Sequence, residues 1–185
     1  MRYSAEHKAQ TREKLLDASG SLAKCGGFAS TGVDGLMKAI GLTGGAFYGH
    51  FSSKDELFAA IVERELSRSA ERLGSSDASR DKLQRCLTMY LNMKHVQQPA
   101  AGCAIPALGA EIARADAEVR ATAEHWLARL QQAWARELGD EQLAWAILAQ
   151  CVGALVLARM MASQERQEEV LASSRALIAS SLDQN

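Results

Sequence analysis

A proline inside a helix removes a backbone donor and clashes with the preceding turn, so prolines limit where long helices can run. This chain of 185 residues carries two, Pro99 and Pro106. The stretches on either side are rich in Ala, Leu, Glu, Arg and Gln, which lose little side-chain freedom in a helix. The expected fold class is all-α. A hydrophobic content of 48% against 23% charged excludes wholesale disorder. The length suits one ordinary domain, or two small units that share a helix.

Apolar periodicity and glycine punctuation divide the chain into about nine helices. The first spans about residues 5–24, with Leu15, Leu16, Ala18, Leu22 and Ala23 on its apolar stripe, and Gly26-Gly27 stops it. Thr31-Gly-Val-Asp34 reads as a capping box opening a short helix through Val33, Leu36, Met37 and Ile40. Gly41 ends that helix, and Thr43 starts another whose Phe47 and Phe51, four apart, face inward. Ser53-Lys-Asp-Glu56 is a second capping box, launching a helix through Leu57, Phe58, Ile61, Val62 and Leu66 to about Leu73. Gly74-Ser-Ser-Asp-Ala-Ser79 reads as a linker. Helices are expected beyond it at about 80–94, 103–114, 117–138, 141–162 and 166–182, with a break at 95–102.

All four Phe lie at or before Phe58 and all three Trp at or after Trp126. The expected organisation is a small module over 1–54, a connecting helix over 54–73, and a larger helical body over 74–185. Residues 1–54 hold seven Lys/Arg against four Asp/Glu, and the remainder fourteen against eighteen. A basic start on an acidic body suits an anionic partner for the first module. The polar N-terminus lacks a signal-peptide pattern. The longest apolar stretch, Leu143 to Ala158, has sixteen residues interrupted by Gln150, short of the roughly 20 that cross a bilayer. The expectation is a soluble, cytoplasmic protein with no membrane partner. The four cysteines form no C-x-x-C pair and the four histidines no H-x₃-H spacing, so neither a metal nor another cofactor is expected.

The segment Gly41-LTGGAFYGHFSSKDEL-Phe58 carries the functional signal. Two short helices joined by a three-residue turn match a helix-turn-helix, whose second helix enters a major groove. Thr43 at the helix start, Tyr48, His50 and Lys54 are suited to phosphates, and Gly44 and Gly45 let backbone approach DNA closely. On spacing alone, an ordinary helical hairpin with these aromatics in its core is the alternative. The ordered pattern G-x-[ST]-x-[GA]-x-[FL]-Y-x-[HY]-F-x-[SN]-K-[DE]-x-L resembles the DNA-binding signature of the tetracycline-repressor (TetR) family, over roughly residues 8–60. The resemblance implies that Thr31, Thr43, Tyr48, His50 and Lys54 contact DNA backbone or base edges, with Phe47 and Phe51 structural. Many members carry Lys where this chain has Gly44, so one cation is missing from the groove. Arg2, Lys8, Arg12 and Lys14 are further candidates for phosphate contacts, or a solvated face.

For the body, the resemblance implies dimerisation through the last two long helices and a ligand pocket among the middle ones. The helix at 141–162 is apolar nearly all round, with Ala149 and Gly153 four apart, and that at 166–182 carries Val170, Leu171, Leu177, Ile178 and Leu182. Pocket candidates are Met89, Tyr90, Met93, Cys103, Ile105, Leu108, Trp126 and Leu130, with plain core packing as the alternative for each. Cys103 follows Gly102 at an expected helix start, where free N–H groups activate a thiol, with His95 near if the loop folds back. An inert buried thiol is the alternative. Cys25, Cys86 and Cys151 are expected in helix interiors.

No G-x-S-x-G, phosphate loop or placed nucleophile-base pair is present. The expected function is a homodimeric, ligand-responsive transcription regulator, a repressor released from a near-palindromic double-stranded DNA operator by a small-molecule effector or by thiol modification. The linker and the helix after Lys54 would transmit the movement. The alternative is a helical small-molecule-binding or thiol-dependent enzyme with Cys103 as nucleophile.

Overall fold

The computed structural model describes residues 5–74 and 80–183. Arg2, and all of the expected linker except Gly74, lie outside the described residues. Ten α-helices and one 3-10 turn, with no strand, make up the regular structure among them. They are α1 (Ala5–Gly26), α2 (Val33–Ala39), α3 (Gly44–Phe47), α4 (Lys54–Leu73), α5 (Arg80–Tyr90), α6 (Met93–Gln97), the turn Pro99–Ala101, α7 (Ile105–Arg114), α8 (Ala117–Leu138), α9 (Glu141–Met160) and α10 (Gln164–Asp183).

Local chemistry sets most of the boundaries. Gly41, at φ +74°, gives the left-handed corner between α2 and α3. There the Leu42 N–H donates to the Met37 carbonyl at 2.9 Å and the Gly41 N–H to Lys38 at 3.1 Å. Ser53 caps α4, its Oγ accepting from the Glu56 N–H at 3.0 Å. The reciprocal arm is shifted by one residue: Glu56 Oε2 accepts from the N–H and hydroxyl of Ser52, at 2.7 and 2.6 Å, rather than from Ser53. These bonds hold the Glu56 carboxyl below the usual carboxylate range. Asp116 and Asp140 cap α8 and α9 in the same manner.

Two expectations are corrected. Thr31 does not cap α2. Gly32 holds that position, and the Thr31 hydroxyl donates back to the Gly27 carbonyl at 3.2 Å, because the end of α1 leaves carbonyls without helical donors. The expected helix over 80–94 is broken into α5 and α6. Asn92 takes an extended conformation (φ −133°, ψ 163°), and its side chain accepts the His95 N–H at 2.9 Å, which restarts the helix.

Packing divides the interior into two cores. The first joins Leu15 and Leu16 of α1, Leu36 and Met37 of α2, Phe47, Phe51 and the apolar face of α4 with Leu108 and Ile112 of α7 and Val119 and Ala123 of α8. The second is built from α5, α6, the latter part of α8, α9 and α10. A boundary drawn at residue 74 therefore cuts through the first core, since α7 packs with the N-terminal helices. Helix α4 lies along α8. The Trp126 Nε1–H donates to Glu63 at 2.8 Å, and that of Trp134 to the Leu73 carbonyl at 2.9 Å, binding α8 to both the middle and the end of α4.

Helix α9 has mean hydropathy 1.8 over its most apolar window, long and apolar enough to cross a membrane by length and composition, yet 39% of that window is buried within the chain. Trp145, Val156, Leu157 and Met160 of α9 and Leu177 of α10 are exposed.

Removing the Ser53 cap leaves a backbone donor unsatisfied at the start of α4 and costs about 1 kcal/mol. Ser53→Ala should lower the thermal midpoint by about 2–4 °C, measured by circular dichroism.

Candidate functional site

The outer surface of α3 is set from beneath. Phe47 and Phe51 are buried, with ring centroids 6.0 Å apart, so α3 cannot roll without uncovering one of them. That fixes Thr43, Gly45 and Tyr48 on the solvent side. Tyr48 is 69% exposed and stands edge-on to Phe47 at 5.3 Å. Thr43 occupies the N-cap position but makes no capping bond, which leaves its hydroxyl to an outside partner.

Gly44 also has a packing role within the module. A Cβ built there would lie 2.0 Å from Asp34 Oδ1, so the missing side chain is what lets Asp34 of α2 sit against the start of α3. Gly45 has nothing within 4 Å and is the open position. Lys54 is tethered rather than mobile. Its ammonium donates to the Ala29 carbonyl at 2.9 Å and lies 4.9 Å from the Phe28 ring centroid, so it also clamps the α1–α2 corner. Thr31 is half-buried by its bond to Gly27.

His50 is half-buried, and its Nδ1 has no hydrogen-bond partner among the described residues. Burial, and then Lys8 and Arg12, push its pKa down, which favours the neutral ring. Arg12 is laid over the Phe51 ring at 4.5 Å, whereas Lys8 and Lys14 are exposed.

A cavity of about 310 Å³ opens between the end of α4, α5, α6 and the loop before α7. Of the candidates from sequence, Met89, Tyr90 and Cys103 line it. Met93, Ile105, Leu108, Trp126 and Leu130 do not. Leu108 is fully buried in the first core, with Ile105 packed against that core, while Leu130 belongs to the second core and Met93 packs against it. Trp126 is taken up by Glu63 and by Arg129, whose guanidinium lies 4.9 Å from its ring centroid. The wall also contains Arg72, Cys86, Asn92, Lys94, His95 and Gly102. Sequence reading missed these as wall residues because the cavity forms at the α5–α6 break, whose only local signal is the Asn92-x-x-His95 cap.

His95 organises that wall. Its Nδ1 is 2.8 Å from the Tyr90 carbonyl, and its Nε2 is 3.0 Å from the Cys103 backbone nitrogen. A carbonyl only accepts and an amide N–H only donates, so the proton sits on Nδ1 and Nε2 accepts from Cys103. Burial foremost pushes the His95 pKa down, with Arg159, Arg72 and Lys24 acting in the same sense against the Tyr90 carbonyl, in keeping with a neutral ring. The loop does fold back on Cys103, but the histidine holds its backbone and not its sulfur.

Cys103 is buried and lies one residue before Ala104, the N-cap of α7, so the helix starts two residues later than expected. Burial, and then the nearby Cys103 and Cys151 thiols, raise Tyr90 well above its ordinary value. Burial, and then Cys103, push Cys151 up to about 12. Cys151 is core, as expected, whereas Cys86 lines the cavity and Cys25 is exposed at the end of α1. Among the described residues no cluster of His, Cys, Asp and Glu is arranged to hold a metal.

Comparison with known proteins agrees with this geometry. Residues 15–61, from the middle of α1 into the first half of α4, match the family described as "Bacterial regulatory proteins, tetR family". The HTH-type transcriptional repressor NemR of Escherichia coli K12 is 29% identical over 199 aligned positions, covering 97% of this chain and 98% of NemR. The HTH-type transcriptional regulator AcrR of Shigella flexneri is 36% identical over 70 residues, 38% of this chain and only 33% of AcrR. The crystal structure of reduced E. coli NemR superposes with a TM-score of 0.71 at 28% identity, covering 89% of this chain and 95% of that one. A TetR-family regulator from Cytophaga hutchinsonii shares the fold, with a TM-score of 0.73 at 18% identity over 97% of this chain and 98% of that one. The segment 41–58, its folding as a helix-turn-helix on two buried aromatics, and these likenesses together give the chain a TetR-type DNA-binding module over residues 15–61, on a fold shared with TetR-family transcriptional regulators.

Proposed function

We propose that this protein is a homodimeric repressor that leaves a near-palindromic operator when a small molecule occupies the cavity or modifies Cys103 in its wall. The observation that carries the reading is the joining of two parts through one helix. Helix α4 begins under the helix-turn-helix, and its last residues, Arg72 and Leu73, line the cavity. Thr43, Gly45 and Tyr48 of each subunit would enter successive major grooves, with Lys54 and the N-terminal cations on phosphates. The exposed apolar faces of α9 and α10, together with Ala149 and the open Gly153, suit a four-helix interface with a second copy. An operator on chromosomal DNA implies action in the cytoplasm.

The enzyme alternative is weakened on two counts. His95 spends its accepting nitrogen on the Cys103 backbone and so does not act as a base on the thiol, and the relatives are regulators. Regulation requires only linkage. A hundredfold loss of operator affinity corresponds to about 2.7 kcal/mol of differential effector binding between the two states.

Three outcomes test this reading. Affinity for duplex DNA should fall steeply with salt, and Lys54→Met should reduce the slope of log K against log salt by about 0.9, the loss of one phosphate contact. Leu157→Glu should give a monomer by light scattering and weaken operator binding, because a charge cannot be buried unpaired in an apolar interface. In a Cys25→Ser/Cys86→Ser background, alkylation by N-ethylmaleimide should release DNA, and the further change Cys103→Ser should abolish that release. DNA binding unaffected by the Cys103 adduct would leave a reversible ligand as the effector.

A further inference from the structure

The segment from Gly102 to Glu111 touches both the cavity and the DNA-binding head. Near the end of α1, the Lys24 ammonium is buried against Glu65 Oε2 at 2.7 Å and donates to the Gly102 carbonyl at 3.2 Å. Gly102 is itself pressed on the cavity wall: a Cβ built there would lie 2.4 Å from the His95 ring, which is tied to Tyr90 and Cys103. Further along, Glu111 of α7 accepts the backbone N–H groups of Phe28 and Ala29, each at 2.9 Å. Those two residues join α1 to α2, and the Ala29 carbonyl also accepts Lys54.

We infer that Lys24 and Glu111 are the coupling residues that carry the state of the cavity to the helix-turn-helix. Displacing the His95–Cys103 wall withdraws the Gly102 carbonyl from Lys24 and shifts the start of α7. A ten-residue helix moves as a rigid rod, so its displacement reaches Glu111. Bonds from a carboxylate to backbone N–H groups are strong and directional, and their loss frees the α1–α2 corner. That corner positions α2 and hence α3. This route rests on the proposed function and adds to it, entering the head through α1 and α7 as well as through α4.

Gly102→Ala supplies a perturbation that needs no identified effector, since the added methyl drives Gly102 and His95 apart. Amide hydrogen exchange in the full-length protein reads the response. Exchange at Phe28 and Ala29 should rise about tenfold in Gly102→Ala. In a Glu111→Gln background, where those amides are already fast, the same change should add less than about twofold. Lys24→Met with Glu65→Leu removes the first contact without stranding a buried charge, and should by itself accelerate Phe28 and Ala29 by a similar factor. If the Cys103 amide responds to Gly102→Ala while Phe28 and Ala29 stay at wild-type rates, the coupling is refuted; wild-type rates in Lys24→Met/Glu65→Leu refute it equally. Random-sequence duplex DNA at low salt provides a separate control. Failure of the wild type to bind it would overturn the DNA-binding reading, and exchange would still decide the coupling.

Discussion

A charge removed from water must be met inside the protein, and Lys24 is the place where this chain faces that demand. Its side chain and that of Glu65 are 7% and 9% exposed and 2.7 Å apart. Such a pair adds little net stability, but losing one member strands the other at a cost of about 3–5 kcal/mol. The geometry is therefore obligatory. It requires the end of α1, the middle of α4 and the loop at Gly102 to meet at one point. The outer side of the same contact is closed by Arg64, which reaches Glu13 and Asp17 of α1 at 2.7 Å each. With α1 held to α4 by charge, and α8 held to α4 by Trp126 and Trp134, α4 becomes the element to which both parts of the molecule are referred.

The first core follows from that arrangement. Because α7 and the start of α8 pack with α1, α2 and α4, the helix-turn-helix is not a bead on a string. Its corner residues Phe28 and Ala29 donate their backbone N–H groups to Glu111, more than eighty positions away. A head built in this way cannot change position without a matching change around Gly102 to Glu111, and regulation at a distance needs that property.

Much of the architecture was legible in the sequence, for local reasons. The Ser53 cap, the Gly41 corner and the spacing of Phe47 and Phe51 act within one or two turns, and each stands close to its expected place. Where the reading departed from the structure, a distant partner or an ambiguous cap was responsible. Thr31 turned to a helix end behind it, and Asn92 split a helix that periodicity alone left whole. Lys54, placed for a phosphate, is also claimed by the Ala29 carbonyl and the Phe28 ring. Of the pocket candidates, Leu108 and Trp126 have the same apolar character as true wall residues. Which of them faces a cavity depends on the rotation of α7 and α8, and a pattern repeating every three or four residues does not specify rotation against a particular neighbour.

The sequence alone determined the all-α class, the helix-turn-helix with its Thr43 and Tyr48, the family resemblance, and the apolar surplus of the last two helices. Capping, backbone conformation and periodicity are properties of a few neighbouring residues, so they can be read from order alone. Only the tertiary structure decided that His95 holds Cys103 by its backbone, that Asp34 fills the space at Gly44, and that Lys24 and Glu111 meet the segment beside the cavity. Each of these depends on residues brought together across the chain, and on burial that makes one hydrogen bond indispensable and another irrelevant.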